Sequence, residues 1–149
     1  MSAPALEWIA ADDERMTQAD GLRHEALFAP FGLPRDDRWD DTGEDRHHLV
    51  ALSSGSVIGY ACLLTGPDGA GHVRQVCVHP DLQRTGIGRA LMEEVDAEAV
   101  RLGLAALWLN ARLSAEPFYR SLGYATTSGV FPSGRTGVPH VRMEKPLGR

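Results

Sequence analysis

Between His79 and Gly103 the chain reads HPDLQRTGIGRALMEEVDAEAVRLG, a glycine-bearing turn that opens an amphipathic helix straight after an apolar, strand-like run. Gly86 and Gly88 have no Cβ, so the backbone turns tightly there and brings successive N–H groups close to a ligand. The free N–H groups of the first helical turn and the positive end of the helix dipole point the same way. Arg84 and Arg89 add full charges. This is chemistry for holding an anion. A glycine pair before a helix is also a plain turn, and only the surrounding elements select the anion reading. The loop of nucleoside triphosphatases is not met: Arg89 and Ala90 follow Gly88 where that loop needs a lysine and then Ser or Thr.

The elements that must position this turn follow from periodicity. Leu6–Ala10 suits a first strand, and Asp12 or Asp13 can cap a helix through Met16, Leu22, Ala26 and Leu27, with Gly21 as its point of weakness. HHLVALS and SVIGYACLLT form a hairpin about Ser54 and Gly55. VRQVCVH is the strand before the turn, with Val76 and Val78 on one face and Gln75, Cys77 and His79 on the other. In the helix, Ile87, Leu91, Val95, Ala99 and Leu102 make one apolar stripe, and Gly103 stops it. AALWLNA reads as a parallel strand buried on both sides after a crossover. Ser114 can cap a short helix over Ala115–Leu122 that ends at Gly123, and Tyr124–Val130 and Val138–Lys145 close the chain as two strands.

Composition bounds what such a chain can be. With 149 residues, 43% hydrophobic and 23% charged, residues 1–149 suit a single domain with its own core. A net charge of −5 argues against a nonspecific nucleic-acid binder and suits a cationic small partner. Cys62 and Cys77 sit inside apolar runs and read as core thiols, which favours a reducing cytoplasm. Residues 1–15 carry Glu7, Asp12, Asp13 and Glu14 without a long apolar core, so neither a signal peptide nor a membrane span is expected there. His47 and His48 are adjacent and point to opposite faces of a strand, so no metal site is expected. Asp36, Asp37, Asp40, Asp41, Glu44 and Asp45 read first as a solvated loop. A sharper reading has them attract a cationic amine, with Trp39 adding a cation–π surface.

The order of strand, QRTGIG turn, helix, strand ending in Asn110, and FYRSLGY helix end resembles the GNAT superfamily of acyl-CoA-dependent N-acetyltransferases over about residues 46–147. The acyl-CoA loop pattern of that superfamily is met by Gln83, Gly86 and Gly88. The ending GVPHVRMEKPL is similar to its ElaA-like branch. The resemblance implies an α/β fold with a mixed, mostly antiparallel sheet flanked by helices and splayed between two central parallel strands. It implies acetyl-CoA as co-substrate, an amine as acceptor, and a homodimer as the arrangement common in the superfamily. Beside Gln83, the stretch Arg84, Thr85, Gly86, Ile87, Gly88 and Arg89 would be the cradle that wraps the pyrophosphate, and the backbone at Val76, Cys77 and Val78 would pair with the pantetheine arm like another strand. An N–H there could polarise the thioester carbonyl. Asn110 would bond the coenzyme near its thiol end, or simply cap its strand.

Tyr119 aligns with the tyrosine often assigned to protonate the departing thiolate; packing beneath the last helix is its bland alternative. Many relatives place a glutamate base on the strand before the loop. Gln75 stands there and cannot act as a base, so a water chain or another residue must serve; His140, whose side-chain type titrates near neutrality, is the candidate residue, as base or substrate contact, with a structural role beside it. For Cys77 a core thiol outweighs a covalent acetyl carrier. The expected reaction is direct attack of a primary amine on acetyl-CoA through a tetrahedral intermediate. Acetylation of a protein N-terminus or lysine differs only in acceptor, and a non-catalytic acyl-CoA sensor is the rival of another class.

Overall fold

A computed structural model describes residues 4–33, 45–134 and 136–147. Its strands and helices run in the order β1 (Ala5–Ile9), α1 (Met16–Arg23), β2 (Asp45–Ser53), β3 (Ser56–Thr65), β4 (Ala70–Val78), α2 (Ile87–Arg101), β5 (Ala106–Arg112), α3 (Glu116–Ser121), β6 (Ala125–Thr126), β7 (Phe131–Pro132) and β8 (Pro139–Pro146). One sheet holds the eight strands in the order β1-β2-β3-β4-β5-β8-β6, with β7 also on β8. Every pairing is antiparallel except β4 with β5. The expected mixed, mostly antiparallel sheet flanked by helices is therefore what the chain forms. The β2–β3 hairpin turns at Ser54 and Gly55, both at positive φ, which matches the twist of the flanking strands.

Apolar residues fill both faces of the sheet. On one, Ile87, Leu91, Met92, Val95 and Ala99 of α2 pack on Leu49, Leu63, Val73, Leu107, Leu109 and Met143. On the other, Met16, Ala19 and Leu22 of α1 pack on Val50, Tyr60, Cys62 and Cys77. Helix α2 comes unusually close to β3 because residue 59 is glycine: a Cβ there would stand 3.0 Å from Leu91 and 3.1 Å from Ile87. Both cysteines are buried free thiols.

Several local expectations are corrected. Arg15, not Asp12 or Asp13, precedes α1; the Asp13 carboxylate accepts the Arg15 backbone N–H and is clasped by the Arg15 guanidinium, so it caps the turn before the helix. Helix α1 runs unbroken through Gly21 and changes instead at His24–Phe28, one π-helical turn, followed by a 3-10 turn at Ala29–Phe31. Leu102 lies beyond the buried stripe of α2 and is exposed, and Met92 takes a place in that stripe. Strand β5 is fully buried only at Leu107, Leu109 and Ala111, because its other face is the floor of a cavity. Ser114 caps nothing: a 3-10 turn at Leu113–Ala115 leads into α3, which is confined to Glu116–Ser121. The first closing strand shrinks to Ala125–Thr126, since the chain then leaves the sheet edge and returns briefly at Phe131–Pro132. Trp39 and the acidic positions 36–44 lie outside the described residues; Asp45 opens β2.

Candidate functional site

The site begins where two strands stop pairing. β4 and β5 pair only from Ala70, Gly71 and His72 to Ala106, Leu107 and Trp108, after which both run on without bonding each other. At that fork His72 stacks on Trp108, ring centroids 3.6 Å apart and 6° from parallel, and the Arg142 guanidinium lies 4.0 Å from the centre of the same indole. Burial, then Arg74 and Arg142, lower the His72 pKa to about 4, so the ring is neutral in the stack. Just past the fork, β4 bulges against β3, between the pairs Tyr60–Cys77 and Cys62–Arg74, and Gln75 takes a positive φ of 56°. The bulge turns β4 away from β5 and keeps Val76 and Val78 on the α2 side while Cys77 faces α1.

A cavity of about 850 Å³ opens in this splay. Its walls run from Val76, Cys77 and Val78 to Gln83, Arg84, Gly86, Gly88 and Arg89, and on the far side to Asn110, Tyr119 and His140. The residues singled out from sequence on five separate elements thus meet around one space. Two of the cradle residues turn elsewhere. Thr85 donates its hydroxyl to the Leu82 carbonyl, and Ile87 buries its side chain under α2, so each can offer a ligand only its backbone. The turn itself needs Gly86, at φ 92°, and holds Arg84 at φ 67° as well. Gly88 is ordinary helix, and its bare Cα matters for approach: a Cβ there would reach Phe118 at 3.4 Å. The N–H groups of Ile87, Gly88 and Arg89 precede the first intrahelical acceptor bond, Ala90 N–H to the Gly86 carbonyl, so they are available to an anion.

Tyr119 packs edge-on against Phe118 and Tyr124, at centroid distances of 5.0 and 5.8 Å, which fixes its ring. Burial and the neighbouring Cys77 thiol push its pKa up to about 12, with Arg112 pulling the other way. The phenol is therefore in its acid form at neutral pH. Burial pushes Cys77 up to about 12 as well, the behaviour of a core thiol and not of an activated thiolate. Asn110 is exposed at the cavity floor, opposite Arg142 in the β5–β8 register. His140 lies opposite Arg112, and its Nδ1 is 2.8 Å from the Val138 carbonyl oxygen. A carbonyl only accepts, so Nδ1 carries the proton and Nε2 keeps its lone pair in the neutral ring. Gln75 is engaged by Arg23, whose buried guanidinium donates to its Oε1 at 2.5 Å.

Among the cavity residues that sequence reading passed over are Arg112, Arg74 and Phe118. Arg112 stands two places beyond Asn110, and strand alternation alone would have put it on the same face. Arg74 lies beside the bulge, which the alternation pattern does not announce. Phe118 had no signal beyond its place next to Tyr119. His79, by contrast, ends its strand as expected and accepts the Asp81 N–H through Nδ1.

Comparison with known proteins agrees with this geometry. The family model described as an acetyltransferase (GNAT) domain matches residues 35–147. An uncharacterized N-acetyltransferase of Bacillus subtilis (strain 168), YjcF, is 27% identical over 137 residues, covering 92% of this chain and 96% of that protein. Among solved structures, an acyl-CoA N-acyltransferase from Pseudomonas aeruginosa superposes with a TM-score of 0.79 at 25% identity, over 95% of this chain and 99% of the other. Escherichia coli ElaA superposes with a TM-score of 0.80 at 20% identity over the same shares, a likeness of fold.

Proposed function

The chain belongs to the GNAT acetyltransferase family, and from that premise we propose that it transfers an acetyl group from acetyl-CoA to a primary amine by direct attack. Residues 1–149 act as one acetyltransferase unit in this reading, and two buried thiols suit a reducing cytoplasm. The observation that carries it is the early end of β4–β5 pairing beside the cavity. It leaves the backbone of Val76 and Val78 open to an extended pantetheine arm, in line with the N–H groups at the head of α2 that would take the pyrophosphate.

The chemistry then falls to a few groups. The amine lone pair attacks the thioester carbon, the carbonyl electrons move onto oxygen, and a strand N–H near the bulge stabilises that charge as it grows. Collapse restores the carbonyl and breaks the C–S bond. Tyr119 is a weaker acid than a thiol of about 8.5, so it first donates a hydrogen bond to the sulfur and gives up its proton late, as charge develops. The proton lost by the nitrogen goes to Nε2 of His140, directly or through water. Gln75 takes no part, because its amide holds Arg23. The deciding experiment is coenzyme A release from acetyl-CoA across a panel of amines. Release that depends on an amine, with N-acetylated product, supports the reading; tight acetyl-CoA binding with no release across the panel would leave an acyl-CoA-binding protein instead.

A further inference from the structure

Charge is distributed unevenly in this molecule. The chain holds 20 Asp and Glu against 15 Lys and Arg. Among the described residues, the cavity lining carries Arg74, Arg84, Arg89 and Arg112 and no carboxylate. Arg84 and Arg89 sit at the head of α2, where a pyrophosphate accounts for them. Arg74 and Arg112 do not: they stand on the two diverging strands, on the sheet face turned away from α2.

Arg112 is the informative one. It ends β5 opposite His140, is half-buried, and holds its guanidinium carbon 5.3 Å from the centre of the Phe31 ring. Stacking on an aromatic face restrains the guanidinium plane and leaves its in-plane N–H fork for a planar anion. Among the described residues no carboxylate forms an ion pair with Arg112. Its charge reaches Tyr119, whose hydroxyl it draws toward ionisation, so the guanidinium stands near the reacting end of the cavity and not at its mouth. An alkylammonium alone would meet repulsion here. A molecule whose anionic group meets Arg112 brings its own compensation, and the same contact would hold its amine beside His140 and Tyr119.

We propose that the acceptor is a small amine that also carries an anionic group, carboxylate or phosphate, anchored by Arg112. This rests on the amine acetylation proposed above and specifies its substrate class. The test compares three probes of similar length, β-alanine, 2-aminoethyl phosphate and propylamine, for binding to the coenzyme A-loaded protein by calorimetry and for coenzyme A release from acetyl-CoA.

At least one anionic probe should bind about tenfold or more tightly than propylamine, the range of a charge-assisted bond. Whether β-alanine or the phosphate leads assigns the anion. In Arg112→Gln the ratio of anionic to neutral affinity should fall about tenfold, with Arg112→Lys in between, while retained coenzyme A binding certifies the fold. Equal binding of the three probes, or an equal loss for all three in Arg112→Gln, overturns the anion anchor. The expected order of binding with no coenzyme A release from any probe supports the anchor and counts against the acetyl-transfer reading.

Discussion

In the proposed reaction two side chains, Tyr119 and His140, carry opposite halves of the proton traffic, and each can be removed alone. Tyr119→Phe keeps the ring packed between Phe118 and Tyr124 and deletes only the hydroxyl. Turnover should fall by about 10²-fold or more, the usual scale of a positioned acid, while the acetyl-CoA dissociation constant moves little; near-normal kcat by coenzyme A release would take Tyr119 out of the mechanism. His140→Ala should likewise lower kcat by about 10²-fold, the usual scale of a positioned base, with acetyl-CoA affinity kept. Unchanged turnover would return His140 to a structural role. Tyr119, Asn110 and the glycine turn were readable in sequence because each sits at a motif position. Arg112 was not, since no motif marks it and its meaning comes from Phe31, 81 residues earlier in the chain, arriving beneath it.

Elements set these groups in place through close approaches that periodicity does not encode. The spacing of Ile87, Leu91, Val95 and Ala99 identified α2 and its buried stripe, and Ser54–Gly55 identified the hairpin. Neither reveals how near α2 lies to β3, which depends on Gly59. In Gly59→Val the added carbons would enter space already held by Leu91, Ile87 and Ala51. The expected cost is about 1–3 kcal/mol, seen as a lower urea midpoint, together with weaker acetyl-CoA binding because the head of α2 is displaced. Wild-type stability in that variant would mean that the helix can shift without loss. The β4 bulge and the π-helical turn of His24–Phe28 escaped sequence reading for a shared reason. Each adds one residue to a regular repeat without changing residue type, so the pattern on either side stays intact.

For the molecule as a whole, the two neutral histidines make stability depend on pH. Burial lowers His48 and His72 to about 4, aided by Arg46 and Arg23 near the first and by Arg74 and Arg142 near the second. An unfolded histidine titrates near 6.5, so between about 6.5 and 4 the unfolded chain binds protons that the folded one refuses. Stability is therefore whole above that window and falls as pH drops through it, by at most about 3 kcal/mol for each ring. Urea midpoints at pH 7 and pH 4.5 should differ accordingly, and His72→Phe, which keeps an aromatic ring against Trp108, should reduce the difference. Equal midpoints in the wild type would contradict it.

The three-residue partnership of β4 and β5 has one more effect. Strand edges at a protein's periphery invite any other chain to add on, and folds guard against that. Here the bare edges of β4 and β5 face the cavity between them. Under the proposed function, the body that adds on is the extended arm of acetyl-CoA, lying there as one more strand would, so an exposure that invites aggregation elsewhere serves here to hold a ligand.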